Sequence, residues 1–357
     1  MIKEISIEEL DSLENPVLID VRSEGEFAEA TIPGAVNLPL LNNEERAQVG
    51  TTYVQTSPTE ARELGLSLVS PKLPALVKKA EEFENKGPLV VFCWRGGMRS
   101  KALATVLDLM GMTVYRLQGG YKAYRRAVVD FFAQPFPKHV VVLRGNTGVG
   151  KTEILGKLRQ DGYPAIDLEK IANNRGSVFG AIGLGSPPSQ KAFESMLYEE
   201  VKALSRHNYV IVECESKRIG RVTLPEHFFA AMQSGTQVLV YDSLENRVER
   251  LVKEYTQFPD SMSQISQALE RLVKTLGRER VREYQELLQA GQLSQFTRRM
   301  LEEYYDHLYA YPNQPSPEYT FCLNYEEPEA AVRELERYLD ARVVRSASVF
   351  GIRNPAE

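Results

Sequence analysis

The residues 93–100, Cys-Trp-Arg-Gly-Gly-Met-Arg-Ser, place a thiol at the mouth of a glycine-rich loop closed by an arginine. Backbone N–H groups around Gly96 and Gly97 can turn inward, and a helix starting behind them adds the partial positive charge of its N-terminus. Arg95 and Arg99 add full charges. All three effects favour thiolate over thiol, which makes Cys93 a candidate nucleophile in a cup suited to an oxyanion. The bland alternative is a buried cysteine acting as a small hydrophobe, and the glycine pair and two arginines argue against it. Further along, Gly145, Asn146, Thr147, Gly148, Val149, Gly150, Lys151 and Thr152 spell a complete G-x-x-x-x-G-K-[ST] loop. Its successive N–H groups would wrap phosphate oxygens, Lys151 would reach the outer phosphates, and Thr152 would hold a magnesium ion. Together the two cradles suggest an enzyme that moves a group through a cysteine and also handles a phosphorylated ligand.

Short apolar runs position both loops. Residues 16–21, 89–92 and 113–117 read as strands, and 100–110 as a helix ended by Gly111. Residues 140–143, 209–212, 237–240 and 319–323 are further buried strands. Helices are expected over 153–160, 189–206, 244–256, 262–290, 294–309 and 328–340. Strands alternating with helices predict an α/β fold with parallel sheets. Residues 131–139, with Pro135 and Pro137, read as a linker. The expected organisation is a first domain over 1–135, a second over 136–325 with a helical insertion near 244–310, and a C-terminal helix and tail over 326–357. The strand at 209–212 leads into Glu213, the candidate second-strand acid. Phosphate-loop enzymes commonly carry Asp there, so ordinary ATP hydrolysis is not the default, and a diphosphate ester without nucleoside chemistry stays open.

Composition sets the bounds. The 357 residues, 43% of them hydrophobic and 25% charged, are ordinary for globular domains. No apolar run approaches the roughly 18 residues that span a bilayer, so no membrane partner is expected. The N-terminus shows no basic-then-apolar leader. The three cysteines, Cys93, Cys214 and Cys322, form neither a disulfide framework nor a zinc spacing, and a reducing cytoplasm fits best. Cys214 and Cys322 read as packing residues. The net charge of −5 argues against non-specific coating of nucleic acid but leaves room for a specific RNA bound through a local basic face.

The segments 18–22 (Leu-Ile-Asp-Val-Arg), Glu26-Phe27, 32–39 (Ile-Pro-Gly-Ala-Val-Asn-Leu-Pro) and 117–121 (Leu-Gln-Gly-Gly-Tyr) resemble, in order, the signature of rhodanese domains. The resemblance covers about residues 5–135. It implies a rhodanese-like domain whose loop cysteine, Cys93, carries a chalcogen. The loop is one residue longer than in the usual sulfurtransferases, and its C-x5-R-S spelling also matches cysteine phosphatases. Phe92 stands where many of those have histidine. A wider loop could cup a tetrahedral phosphate or a chalcogen on phosphorus.

A rhodanese-like domain with this longer loop, fused to a P-loop NTPase-like domain, resembles the tRNA 2-selenouridine synthase family. The segments 45–51, 167–169, 174–177 and 189–194 are similar to that family's own. The resemblance implies a transferase that replaces the sulfur of wobble 2-thiouridine in tRNA with selenium from selenophosphate. It would act through an S-geranyl-2-thiouridine made from geranyl diphosphate, with Mg2+ as a further candidate and selenophosphate synthase as a candidate partner. By this match Cys93 would form an S-selanylcysteine, with Arg95, Gly96, Gly97 and Arg99 binding selenophosphate. The 145–152 loop would bind the prenyl diphosphate. Candidate contacts to tRNA or phosphate are Arg175, Lys217, Arg218, Arg278 and Arg282, the last two in a basic run that a solvated helix face would equally explain. The alternatives kept open are a cysteine-dependent sulfurtransferase or phosphatase, and a P-loop small-molecule kinase, for which Arg247 and Arg250 on a helix after a strand speak.

Overall fold

Residues Leu89–Phe92 and 140–143 are at most 1% exposed, as expected of parallel strands covered by helices on both faces. The computed structural model describes residues 2–343 except 215 and 259. They fall into two units. The first runs to Phe131 and also takes Ser189–Tyr198, and the second holds Phe132–Pro188 and the described residues from Glu199 on.

In the first unit the order is β1 (Lys3–Ile5), α1 (Ile7–Leu10), β2 (Val17–Asp20), α2 (Glu24–Glu29), β3 (Val36–Asn37), α3 (Asn43–Gln55), α4 (Pro58–Val69), α5 (Leu73–Glu84), β4 (Leu89–Phe92), α6 (Met98–Leu109), β5 (Val114–Leu117) and α7 (Gly120–Phe132). Its parallel sheet has the order β1-β5-β4-β2-β3. From β4 the chain crosses to β5 on one side, whereas β2 leads to β3 on the other. The carboxyl end of β4 is therefore a switch point, where open α/β sheets bind ligands, and Cys93 is the next residue. Helices α3 and α4 carry little helical periodicity in their sequences. None of the α3 residues is buried and α4 buries only Ala61, so neither presents an apolar stripe. Capping marks their starts instead: Asn42 and Glu45 form a capping box, and Ser57 caps α4.

The second unit continues with β6 (His139–Arg144), α8 (Lys151–Gln160), β7 (Ala165–Ile166), α9 (Leu168–Ala172), α10 (Gln190–Ala203, its start in the first unit), β8 (Tyr209–Glu213), β9 (Arg218–Ile219), β10 (Val222–Thr223), α11 (Glu226–Ser234) and β11 (Thr236–Tyr241). Then come α12 (Leu244–Tyr255), α13 (Ser261–Arg271), α14 (Val273–Leu276), α15 (Arg278–Gln289), α16 (Leu293–Met300), α17 (Asp306–Tyr309), β12 (Phe321–Asn324) and α18 (Pro328–Tyr338). The parallel order β12-β11-β6-β8-β7 puts β6 in the middle, with the 145–152 loop at its carboxyl end, again a switch point.

Three expectations change here. The helix expected over 262–290 is broken into α13, α14 and α15: α13 gives way to α14 at Leu272, and Gly277, with φ +86°, separates α14 from α15 in a region that interrupts a helix and suits glycine. The helix expected over 294–309 is α16 and α17 joined by a π-helical turn, Leu301–Tyr305. The C-terminal helix is no separate segment: Val332 and Leu335 of α18 pack with Leu155 and Leu158 of α8 in the core around β6 and β8. The rest of the expected tail, 344–357, lies outside the described residues. Tyr255, Leu269, Tyr284 and Phe296 of the helical insertion form a second core, joined by Phe179 from the segment between α9 and α10. Among the described residues no helix is long and apolar enough to cross a membrane.

Candidate active sites

Cys93 is 3% exposed. Its Sγ accepts the Gly97 N–H at 3.2 Å and lies 3.3 Å from Ser100 Oγ. The Ser100 hydroxyl also lies 3.2 Å from Gly97 O, so it can turn its one proton to either neighbour and serve a sulfur anion. α6 begins behind the loop with no side-chain cap, which leaves its first-turn amides for a ligand. The loop's carbonyls are engaged elsewhere. Cys93 O accepts from Tyr121 N and Trp94 O from Lys122 N, each at 2.9 Å. Both donors are first-turn amides of α7, which have no partner within their own helix. Gly96 (φ +64°) and Gly120 (φ +58°) make this approach feasible: a Cβ on Gly120 would stand 2.2 Å from Cys93 O and 2.5 Å from Gly96 N.

The rhodanese-type segments lie beneath and beside this loop. Asp20 and Arg22 are a buried ion pair at 2.6 Å, and Asp20 also accepts from Thr31 Oγ1 at 2.8 Å. The Arg22 guanidinium lies 4.1 Å from the centre of the Tyr121 ring, which in turn meets Trp94 at 5.7 Å. Arg99 is held by Glu26, Nη1 to Oε2 at 2.7 Å. Burial pushes the Glu26 carboxyl up, but the Arg99 hydrogen bond and charge, the Ser23 N–H and Arg46 outweigh it and hold the group below the usual carboxylate range. Arg95 is exposed and makes no hydrogen bond or ion pair among the described residues. An open cavity of about 770 Å³ reaches Arg99 and is lined by Arg46, Gly50, Tyr53 and Val54 of α3.

In the second unit the 145–152 loop joins β6 to α8. Gly145 (φ +153°) and Gly150 (φ +90°) fill positions where a Cβ would stand 2.2 Å from Val240 O and 2.3 Å from the Tyr325 ring. Lys151 Nζ lies over the loop, donating to Gly145 O at 2.8 Å and Asn146 O at 3.3 Å. The Asn146 side chain is turned to the segment 311–313. It donates to Tyr311 O and Asn313 Oδ1, both at 2.9 Å, and is 2% exposed, so it braces the loop from behind. Two arginines of α12 hold the carbonyls. Arg247 donates to Thr147 O at 2.9 Å and pairs with Asp306 at 2.5 Å. Arg250 donates to Gly148 O and pairs with Asp242 at 2.7 Å. With the carbonyls drawn back, the loop's amides are left to face an anion.

Thr152 Oγ1 lies 3.4 Å from Glu169 Oε2, and the Glu169 N–H donates to buried Glu213 Oε1 at 2.8 Å. A hydroxyl and carboxylates form an oxygen-only donor set. That suits Mg2+, which takes few protein ligands and completes its shell with phosphate and water. Among the described residues no three His, Cys, Asp or Glu side chains are grouped to hold a metal by themselves. Glu169 was visible in the sequence only as part of a family-like segment. Cys214 departs from its reading as a packing residue. Half-buried, its Sγ lies 2.9 Å from Arg144 Nη1 and 3.1 Å from Tyr311 Oη. Cys322, also half-buried, meets Ser316 at 3.4 Å.

Most of the basic candidates are engaged within the second unit. Arg175 pairs with Glu254 at 2.9 Å and donates to Ile182 O at 2.9 Å. Lys217 pairs with Glu226, Arg218 donates to Gly220 O, and Arg282 pairs with Glu286 at 2.9 Å. Arg278 is exposed without a partner among the described residues, as are Arg271 and Lys274 before the Gly277 break.

A parallel α/β unit with a cysteine in an anion-binding loop, and a second with a phosphate loop on its central strand, define the class: a rhodanese-like domain joined to a P-loop domain. A family model described as the tRNA 2-selenouridine synthase AAA domain matches residues 138–337, and one described as the rhodanese-like domain matches 6–127. The chain is 38% identical over 335 residues to the tRNA 2-selenouridine synthase of Hydrogenovibrio crunogenus, covering 85% of this chain and 90% of that one. It is 34% identical over 328 residues to that of Pseudomonas syringae pv. syringae, covering 83% and 88%. Against the Psychromonas ingrahamii protein of the same name it is 37% identical over 240 residues, covering 67% of this chain and 64% of that one. The chain belongs to the tRNA 2-selenouridine synthase family.

Proposed function

We propose that this protein is a transferase acting on tRNA, which converts wobble 2-thiouridine to 2-selenouridine with selenophosphate, through an S-geranyl intermediate made from geranyl diphosphate. The observation that carries the reading is the pair of differently built cradles. One surrounds a sulfur with N–H and hydroxyl donors, and the other is a lysine-capped phosphate loop that contains no cysteine.

In the first step the thiouridine sulfur attacks the prenyl carbon, the carbon–oxygen bond breaks, and diphosphate leaves. The amides of the 145–152 loop and Lys151 stabilise the leaving group as its charge develops. Thr152 and Glu169, with Glu213 behind them, would hold Mg2+, which would neutralise diphosphate charge. Alkylation turns the base sulfur from a poor leaving group into a thiol. In the second step the Cys93 loop handles selenophosphate, its phosphate facing the loop amides, Arg95 and Arg99. Selenium bonds to C2 of the geranylated base, the C2–S bond breaks and geranylthiol leaves, and the P–Se bond is cleaved by water to release phosphate, with Cys93 as the candidate group that handles selenium in the loop.

RNA must reach Cys93 for this chemistry. Trp94, the only tryptophan of the chain, is 37% exposed at the rim, beside exposed Met98. Arg95, Lys101 and Lys122 are exposed, with no side-chain partner among the described residues. An aromatic face with loose cations is what a single-stranded anticodon base needs. The test is mass spectrometry of wobble nucleosides from tRNA incubated with the protein, geranyl diphosphate and selenophosphate. Cys93→Ser should abolish selenation while geranylated tRNA accumulates, and Lys151→Ala should stop geranylation. An unchanged 2-thiouridine signal with the wild type would defeat the reading.

A further inference from the structure

Resting on that reading, we propose that the groove walled by α3 beside the Cys93 loop holds the geranyl chain of the S-geranyl base while its sulfur is exchanged for selenium. The proposed reaction brings the first unit a polar base whose leaving group carries an apolar chain. A site for the base alone would leave that chain in water, and burying it draws on the hydrophobic effect.

The groove has the size and the polarity for this occupant. Its volume of about 770 Å³ falls within the roughly 300–1,000 Å³ of small-ligand sites. Its polar end is at the Cys93 loop, where Arg99 Nη1 and Arg46 Nε lie 2.7 and 3.4 Å from the same Glu26 oxygen. Away from that end the walls are Leu41, Ala47, Gly50, Tyr53 and Val54. The stretch of α3 from Arg46 to Val54 measures about 12 Å along a helix axis, enough for an extended geranyl chain. Cations at one end and hydrocarbon along the rest match a base sulfur held near Cys93 with its chain leading away.

Helix α3 also has features that its own packing does not explain. It buries none of its residues. Tyr53 is 59% exposed and Val54 82%, an apolar pair open to solvent in the groove. Gly50 sits inside the helix, where glycine is less favourable than alanine. A Cβ on Gly50 would meet nothing within 4 Å, so the fold has no steric need of glycine there. A chain lying across the helix backbone supplies that need. The segment 45–51, similar to the family's own, gives none of the donors of either anion cradle, and this role accounts for its Ala47 and Gly50.

Chain length is the readout. Two anticodon stem-loops, one carrying S-geranyl-2-thiouridine and one S-methyl-2-thiouridine, are given to the protein with selenophosphate, and 2-selenouridine is measured by mass spectrometry. Both leaving groups are thiols on a primary carbon, so the chain is the difference between them. Wild type should favour the geranylated RNA in kcat/KM by at least about ten-fold, which burial of about two methylenes already supplies. Tyr53→Asp, which puts a charge in the groove, and Gly50→Leu, which fills it with a residue that suits a helix, should each raise KM for the geranylated RNA by roughly ten-fold. Both should leave its kcat and the methylated RNA unchanged, and Tyr53→Phe should keep the preference. Equal kcat/KM for the two RNAs with wild type would overturn the proposal and leave the tRNA reading standing. A loss in Tyr53→Asp that is the same for both RNAs would give this face to the RNA body, and altered sedimentation with an intact preference would give it to a second copy of the chain; either overturns the proposal. If wild type makes no 2-selenouridine from the geranylated RNA, the tRNA reading itself falls.

Discussion

In the first unit, the carbonyls of the Cys93 loop are tied by main-chain amides of α7. In the second, the carbonyls of Thr147 and Gly148 are tied by the guanidiniums of Arg247 and Arg250. Both arrangements draw oxygen away so that N–H groups can face an anion, at the carboxyl end of a central parallel strand. They differ in what can undo them. A backbone-to-backbone clamp depends on how closely two main chains approach, so glycine is its weak point. A side-chain clamp depends on ion pairs behind the arginines, so it fails by truncation.

The largest expected effect follows from the first clamp. Gly120→Ala puts a Cβ 2.2 Å from Cys93 O at a left-handed φ, and neither main-chain segment has room to yield. A cost of about 3 kcal/mol or more is expected, seen as a lower thermal midpoint of the first unit and loss of selenation, with geranylation retained. A wild-type melting profile would show that the α7 amides do not hold this loop. For the second clamp, Arg247→Met strands Asp306 and frees Thr147 O. Arg247 is 1% exposed and Asp306 22%, so the loss is put at about 2–3 kcal/mol, at or below the low end for a broken buried pair. Geranylation should fall and selenation of pre-geranylated tRNA should persist; loss of both would mean that the two loops are not separately assigned.

The two loops were legible because each is a short-range pattern following a run of apolar strand residues. The partners that fix them were less so. Cys214 is 70 residues from Arg144 and 97 from Tyr311, and no local pattern predicts their meeting. Asn146 sits inside a phosphate-loop motif, which suggested a ligand contact, yet its side chain is spent on residues 311 and 313. Charge runs misled in the same way. Arg175 and Arg282 read as surface cations, but each has an acidic partner that spacing alone could identify only for the i, i+4 pair. The helical period read through Gly277 because its flanks keep the apolar spacing, although one glycine with positive φ suffices to break the helix.

A smaller effect is expected at the rim, where Trp94 of the first loop meets solvent. Trp94→Ala should weaken binding of a thiolated anticodon stem-loop by about ten-fold, near the lower end for loss of one base stack. Trp94→Phe should recover most of it. As the chain's only tryptophan, Trp94 also reports directly: saturable quenching of its emission by the RNA is expected, and RNA binding that leaves the emission untouched would place the base elsewhere.

The smallest effect distinguishes an arginine held by a carboxylate from a carbonyl held by an arginine. Glu26 is depressed below its ordinary value of 4.5 in the folded protein, burial opposing and Arg99 prevailing. A carboxyl depressed on folding binds fewer protons folded than unfolded. Its contribution is therefore present above pH 4.5 and is lost as the pH falls through the folded value. With Arg99 25% and Glu26 17% exposed, the contribution is put at about 1 kcal/mol or less. Denaturant melts of wild type and Glu26→Gln should differ by this amount at neutral pH and converge below pH 4.5. A constant gap between wild type and Glu26→Gln down to the lowest pH would show that Glu26 acts on the Cys93 loop by packing, through its capping bond to Ser23, and not by holding Arg99.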